Sequence, residues 1–171
     1  IDQGVFTMVR QREMLGLGHA VLTGEPLIGP EPFGMVLSDD LCLNSGGLGV
    51  LAQMAQLFEE FGCSIVAVQE VPDEEIHKYG VIAGEELREG LYRVSHMVEK
   101  PSAAEAPSNL AIIGRYILTP DIFDIIRGTP PAAKLRSLMC SWQCRLYSSR
   151  SCLPAPSCVP ASPSVSSRIP L

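Results

Sequence analysis

Charged side chains follow several apolar runs of this chain, in positions where they could bind a phosphorylated ligand. A carboxylate can hold Mg2+ between phosphate oxygens, a second carboxylate can accept hydrogen bonds from hydroxyls, and a lysine can neutralise a phosphate. The same residues also fit a turn or a solvated strand end, where an ion pair contributes little to stability. The four candidates, each within two residues of the end of an apolar run, are Asp39, Glu70, Glu99 and Lys100.

Glycine and amide residues form a second set of candidates. The stretch 16–20 (GLGHA) predicts a glycine turn that opens a helix, and Gln11 precedes it. Glycine lets the backbone approach a planar ring or a phosphate closely, and a helix N-terminus favours anions. A tight turn without a ligand explains the same residues. Gly80 could let a sugar lie against the backbone or could simply start a strand, and Asn109 could bind a hydroxyl or cap a turn.

The elements that must position these residues alternate between strand and helix. Alternation through the first seventy residues is typical of a parallel sheet with crossover helices, in which ligands bind outside the carboxyl ends of the strands. We therefore predict an α/β fold, with the runs 33–37 and 64–68 buried on both faces and Thr119 as a helix N-cap. Strands are predicted at 4–11, 33–37, 64–68, 79–82, 91–98 and 111–118, and helices at 16–25, 48–61 and 119–127.

Composition excludes several classes of function. All 19 acidic side chains lie in residues 1–131, and such an acidic body argues against non-specific binding of nucleic acid. No apolar stretch reaches the length of a membrane span, and no signal peptide is visible. Cys42 and Cys63 lie in apolar surroundings, and the four cysteines of the tail form no CxxC pair, so we predict a reduced, cytoplasmic protein.

Residues 132–171 differ from the rest of the chain. They contain ten serines, five prolines and no acid. Such a segment cannot bury enough apolar surface to offset its ordering entropy, so we predict that it is disordered. We interpret it as an out-of-frame tail, and the chain as a fragment of a longer protein.

Six motifs in order resemble the bacterial UTP–glucose-1-phosphate uridylyltransferases, also called UDP-glucose pyrophosphorylases. The resemblance covers roughly residues 4–131. It implies a three-layer, Rossmann-like nucleotide-diphospho-sugar transferase fold with a mixed sheet, truncated at both ends. It makes residues 1–131 a partial nucleotidyltransferase domain. The motifs are RQREMLGLGHAVL, MVLSDDL, YGVI, VEKP, APSNLAIIGRYIL and DIFDIIRGTPP.

The resemblance also implies roles for individual residues. Gln11 and Gly16 match residues that contact the uracil, and Asp39 matches the aspartate that binds Mg2+ between the phosphates. On the sugar side, Gly80 lies beside the glucose, Glu99 binds its hydroxyls, and Lys100 neutralises its phosphate, with Asn109 as a further substrate-binding residue. Asp39 and Lys100 are the residues expected to act in catalysis.

The implied reaction joins glucose-1-phosphate to the α-phosphate of UTP, giving UDP-glucose and pyrophosphate. UTP, glucose-1-phosphate and Mg2+ are the expected partners, with no nucleic acid and no membrane, and the full-length enzyme is expected to be a homo-oligomer. The chain lacks the family's triphosphate-binding glycine loop and its second metal-binding aspartate, so we expect little or no activity from the chain alone. The alternatives are a related enzyme that uses dTTP or another hexose phosphate, and a non-functional fragment.

Overall fold

The computed structural model describes residues 4–44, 46–129 and the backbone of residues 146–149. The helices are α1 (Leu17–Ile28), α2 (Val50–Phe61) and α3 (Ile122–Gly128), with a short 3-10 helix at Asp73–Lys78. The strands are β1 (Phe33–Val36), β2 (Ile65–Glu70), β3 (Gly80–Arg88), β4 (Leu91–Glu99), β5 (Leu110–Leu118) and β6 (Leu146–Ser149). The predicted α/β class is confirmed.

The described strands form one mixed sheet in the order β1-β5-β2-β6-β4-β3, with a further pairing between β3 and β5. Strand β5 runs antiparallel to β1, β2 and β3, whereas β6 runs parallel to β2. Strands β1 and β2 therefore point in the same direction, as the alternation of elements indicates. They do not pair with each other, because β5 lies between them.

Helices cover both faces of the sheet and make three layers. Because successive side chains of a strand point to opposite faces, Ile65 and Ala67 pack against α2 through Met54. Val66 and Val68 belong to the other core cluster, to which α1 and α3 contribute. The predicted end of α2 is confirmed: Gly62 has a left-handed backbone with φ of 62°, and its amide donates to the carbonyl of Phe58 at 2.8 Å.

Two strand predictions were wrong. Residues 4–11 form no strand, and Val5 and Phe6 are almost fully exposed. Their alternating pattern suits a strand, but a strand also needs a hydrogen-bonding neighbour, and these residues pair with none of the described strands. Strand β1 is only half-buried, with Val36 52% exposed. It lies at the edge of the sheet and pairs only with β5 among the described strands.

The predicted N-cap at Thr119 was also wrong. Helix α3 begins at Ile122, after Asp121, and has no side-chain cap. The amide of Thr119 instead donates to the hydroxyl of Ser64 at 2.9 Å, and the hydroxyls of the two residues lie 3.0 Å apart. Thr119 therefore joins the end of β5 to the start of β2.

The segment 132–171, predicted to be a disordered, out-of-frame tail, lies largely outside the described residues. Its described part is β6, whose backbone lies between β2 and β4.

Candidate functional site

Two of the predicted site residues, Asp39 and Gly80, belong to chain segments beside one edge of β5. Strand β2 pairs with the other edge, from Ile65 opposite Ile117 to Glu70 opposite Leu110. Strands β1 and β3 must therefore share the remaining edge. Strand β1 lies beside residues 115–118 of β5, and β3 touches β5 where Val81 pairs with Ala111.

The loop 37–40, which contains Asp39, borders the gap between β1 and β3. The amide of Leu37 donates to the carbonyl of Gly114 at 2.8 Å, so the loop starts beside Gly114. From Gly114 to Ala111 is three residues of β5, or roughly 10 Å at the rise of a strand. The carboxyl end of β1 therefore faces the amino end of β3 across a short gap.

Gly80 and Glu99 lie together on the β3 side of this gap. They are paired across the β3–β4 hairpin, where Gly80 is buried and Glu99 is half-buried. Asn109 lies next to the same region, and its carbonyl accepts a hydrogen bond from the amide of Val71 at 3.0 Å. Glu70, the other strand-end acid, pairs with Leu110. The structure thus brings Glu70, Gly80, Glu99 and Asn109 to one end of the sheet.

Lys100 has an unusual backbone. Its φ is 47°, and it is the one residue other than glycine with a positive φ among those that the structure describes. Its amide donates to the carbonyl of Tyr79 at 2.9 Å, while its side chain is exposed. A left-handed backbone costs roughly 1–2 kcal/mol for a side chain such as lysine, and such strain concentrates at functional sites. The next residue, Pro101, is buried.

The two acids of the loop 37–40 have different surroundings. Asp40 is half-buried, and its Oδ2 accepts a hydrogen bond from the amide of Gly114 at 2.8 Å. Asp39 is exposed and makes no hydrogen bond or ion pair within the described part of the chain. The carboxylate of Asp40 therefore has a structural hydrogen bond to β5, and the carboxylate of Asp39 is the better candidate for binding a ligand.

Gln11 and Gly16, predicted together, are in contact at the start of α1. The amide nitrogen of Gln11 donates to the carbonyl of Gly16 at 3.2 Å and lies 2.9 Å from Nδ1 of His19. Since the amide nitrogen of Gln11 can only donate, Nδ1 of His19 accepts and the ring proton lies on Nε2. Gly16 has a φ of 95°, which favours glycine at this turn. The carbonyl oxygen of Gln11 is left to accept a hydrogen bond from a ligand.

Sequence reasoning missed Gly114 and Arg115, which hold the loop 37–40 in place. Arg115 is only 9% exposed and donates to the carbonyl oxygens of Leu37 and Asp40. A charged residue in the apolar strand AIIGRYIL was the available signal, because a buried charge must be paired or hydrogen-bonded.

The described residues contain no group of three or more His, Cys, Asp and Glu side chains that could hold a metal ion by themselves. None of their helices is long and apolar enough to cross a membrane.

Comparison with known proteins shows the family to which this chain belongs. The family described as nucleotidyl transferase matches residues 3–145. The match covers more than half of the chain, which therefore belongs to this family.

Relatives within the family have a more specific name. A UTP–glucose-1-phosphate uridylyltransferase of Pseudomonas aeruginosa is 66% identical over 131 residues, which is 77% of this chain and 47% of the relative. One of Staphylococcus epidermidis is 47% identical over 118 residues, which is 69% of this chain and 40% of the relative. The resemblance found from the sequence motifs is thus confirmed, and the chain spans about half the length of the curated relatives it matches.

Comparison with solved structures also finds similarity to enzymes of this name. A UDP-glucose pyrophosphorylase complexed with UDP-glucose superposes with a TM-score of 0.81 at 50% identity, over 85% of this chain and 57% of the other. A UTP-bound UGPase from Acinetobacter baumannii superposes with a TM-score of 0.76 at 29% identity, over 83% of this chain and 51% of the other.

Proposed function

We propose that this chain forms the sugar- and metal-binding part of an enzyme that transfers UMP from UTP to glucose-1-phosphate. The observation that carries the proposal is the gap on one edge of β5, where the loop with Asp39 faces the paired residues Gly80 and Glu99. The relatives named for this reaction support it, since one of them is 66% identical to the chain over 131 residues.

The sugar binds on the β3 side of the gap. Gly80 has no side chain, so a hexose can lie against its backbone. Glu99, which is half-buried beside it, accepts hydrogen bonds from two hydroxyls. Lys100 follows at the exposed rim and neutralises the phosphate of the sugar, while the amide of Asn109 binds a further hydroxyl.

Asp39 would hold Mg2+, which would supply positive charge to the phosphates of the substrates. Mg2+ usually keeps several waters and takes one or two protein carboxylates together with substrate phosphate oxygens. Asp39 is an exposed carboxylate with no hydrogen-bond or ion-pair partner among the described residues, and it fits that donor set better than a closed cluster of ligands would. When bound, the ion neutralises charge on the phosphates.

The uracil ring is read by Gln11 and Gly16. Both amide hydrogens of Gln11 are used, one by the carbonyl of Gly16 and one by His19. Its carbonyl oxygen is therefore fixed as an acceptor, and it suits the N3–H group of a uracil ring. Cytosine has an unprotonated N3 at that position and is rejected.

The reaction is an in-line displacement at the α-phosphorus of UTP. A phosphate oxygen of glucose-1-phosphate forms the new bond to phosphorus as the bond to the β-phosphate bridging oxygen breaks. UDP-glucose and pyrophosphate are the products. This chemistry needs positioning and charge neutralisation more than proton transfer, which suits a site whose charged residues are Asp39, Glu99 and Lys100.

A related enzyme that uses dTTP is the second candidate. Thymine presents the same N3–H donor as uracil, so Gln11 does not separate the two. We place the activity in the cytoplasm, because Cys42 and Cys63 pack against an apolar core cluster and so resemble the small core residues of a protein from a reducing compartment.

Calorimetric titration of the purified chain with UDP-glucose tests the proposal. The substitutions Glu99→Gln and Lys100→Met should each weaken binding by about 10- to 100-fold, since a hydrogen bond to a charged group contributes about 1.5–3 kcal/mol. Glu89→Gln is the matched control, because Glu89 is an exposed acid at the far end of the same hairpin. Equal affinity for all variants contradicts the proposal, and tighter binding of dTDP-glucose favours the second candidate.

A further inference from the structure

Arg115 is the one buried arginine among the described residues, and it is bonded to backbone rather than to an acid. Its Nη1 donates to the carbonyl oxygens of Leu37 at 3.1 Å and Gly114 at 2.9 Å, and its Nη2 donates to that of Asp40 at 2.5 Å. It forms no ion pair within the described part of the chain. Burying an arginine is costly unless its hydrogen bonds are made. The three carbonyl oxygens must therefore stay in place around the guanidinium of Arg115.

A bulge in β5 provides the other half of the contact. Val66 pairs with Tyr116 and Val68 with Ile112, so Ala67 alone lies opposite residues 113–115 of β5. Bulges interrupt the ladder and redirect the residues within it. Opposite this bulge, the backbone of Gly114 bonds to the loop 37–40: its amide donates to the carboxylate of Asp40, and its carbonyl accepts from the amide of Leu37.

The position of Gly114 excludes any side chain. A Cβ atom built there would lie 2.6 Å from Cβ of Leu37 and would overlap Oδ2 of Asp40. The loop 37–40 is therefore packed directly against the backbone of β5. Its first residue and its last residue are both anchored on Gly114 and Arg115, and Asp39 lies between the two anchors.

We propose that Arg115, Gly114 and Asp40 are positioning residues that hold the carboxylate of Asp39 in place for a divalent cation. This inference depends on the metal-binding role of Asp39 proposed above. Groups that orient a metal ligand without touching the metal typically change metal affinity by 10- to 100-fold when they are removed. Asp40 acts by accepting a hydrogen bond, and its charge is not required.

Substitutions that remove the hydrogen bonds and a substitution that keeps them give different expected results. Asp40→Ala removes the acceptor for the amide of Gly114 and should weaken cation binding by about 10- to 100-fold. Asp40→Asn keeps an acceptor oxygen in the same place and should bind the cation nearly as well as the unmodified chain. Arg115→Lys replaces the planar fork of two donating nitrogens by a single ammonium nitrogen, which cannot reproduce the geometry of the three bonds to Leu37, Gly114 and Asp40. This variant should therefore weaken binding as Asp40→Ala does.

The experiment is a titration of the chain with Mn2+ in saturating UDP-glucose, followed by the electron paramagnetic resonance signal of free Mn2+. A blank with UDP-glucose alone corrects for metal held by the nucleotide sugar, and melting curves show that each variant folds. If Arg115→Lys does not fold, the two Asp40 variants are sufficient. Weak binding by Asp40→Ala with recovery in Asp40→Asn supports the inference.

Three other outcomes overturn it, and they can be told apart. If Asp40→Ala binds Mn2+ like the unmodified chain, Asp40 has no positioning role, although Asp39 keeps its own. If Asp40→Asn is as weak as Asp40→Ala, the charge of Asp40 is required and it acts as a second ligand. If Asp39→Asn binds normally, or the unmodified chain takes up no Mn2+, the metal site itself is wrong.

Discussion

Lys100 extends the β3–β4 hairpin by one hydrogen bond, from its amide to the carbonyl of Tyr79 at 2.9 Å, while its own φ is 47°. The chain turns just after Glu99, and the backbone of Lys100 is strained at this turn. The strained residue is also the one basic side chain among the predicted site residues. The turn directs the chain out of the sheet at the rim of the gap between β1 and β3.

The strain at Lys100 can be measured with two substitutions. Lys100→Gly and Lys100→Ala both remove the charge, but only glycine adopts the left-handed backbone without cost. We expect Lys100→Gly to be more stable than Lys100→Ala by about 1 kcal/mol, and both to lose affinity for UDP-glucose. Urea unfolding measures the first effect and calorimetry the second. Equal stability of the two variants would show that the backbone at this residue is not strained.

The close packing of Gly114 predicts a sensitive site for mutation. Gly114→Ala should lower the free energy of unfolding by about 1–3 kcal/mol, the usual cost of overpacking. Gly128→Ala is the control, because Gly128 lies at the end of α3 with no atom near its Cβ position. Thermal unfolding of both variants checks the prediction. A Gly114→Ala variant as stable as the control is incompatible with a loop seated on β5.

The contact between Gln11 and His19 predicts a single tautomer. The imidazole proton should lie on Nε2, because Nδ1 accepts from the amide of Gln11. Long-range 15N NMR spectra of the chain distinguish the two ring nitrogens. Gln11→Leu removes the donor, so we expect a mixture of tautomers and loss of UMP binding in that variant. Protonation at Nδ1 in the unmodified chain contradicts the described geometry.

Ser64, just before β2, forms hydrogen bonds with Thr119 at the end of β5. It is fully buried, and its hydroxyl accepts a hydrogen bond from the amide of Thr119. Ser64→Ala leaves that amide without a partner, which should cost about 1–3 kcal/mol of unfolding free energy. Ser102→Ala, at an exposed residue bonded to Glu105, should change stability by less than about 0.5 kcal/mol. A similar small effect at Ser64 would mean that water or a local shift replaces the bond.

Local patterns predicted most of the elements. The apolar spacing of α2 and the glycine that follows it were sufficient to place that helix, and continuous apolar runs placed β2 and β5. These features depend on residues within one element. The end of the alternating run 91–98 also indicated Glu99 and Lys100 as candidates before their surroundings were known.

Features that depend on distant pairing were not predictable in this way. Strand β5 separates β1 from β2, and no local signal shows which strands will become neighbours. For the same reason, the alternation in residues 4–11 looked like a strand although none of the described strands pairs with it. The roles of Gly114 and Arg115 depend on contacts more than seventy residues away in sequence, with Asp40 and Leu37.

The arrangement of β1 and β3 on one edge of β5 is tested most directly by NMR titration of the 15N-labelled chain with UDP-glucose and Mg2+. We expect the largest amide shifts at Asp39, Gly80, Glu99 and Lys100, which lie on both sides of the gap. The amide of Glu89, at the far end of the hairpin, should stay unchanged. Shifts confined to one side of the gap, or the absence of any shift at Gly80 and Lys100, would contradict a shared site for the nucleotide sugar.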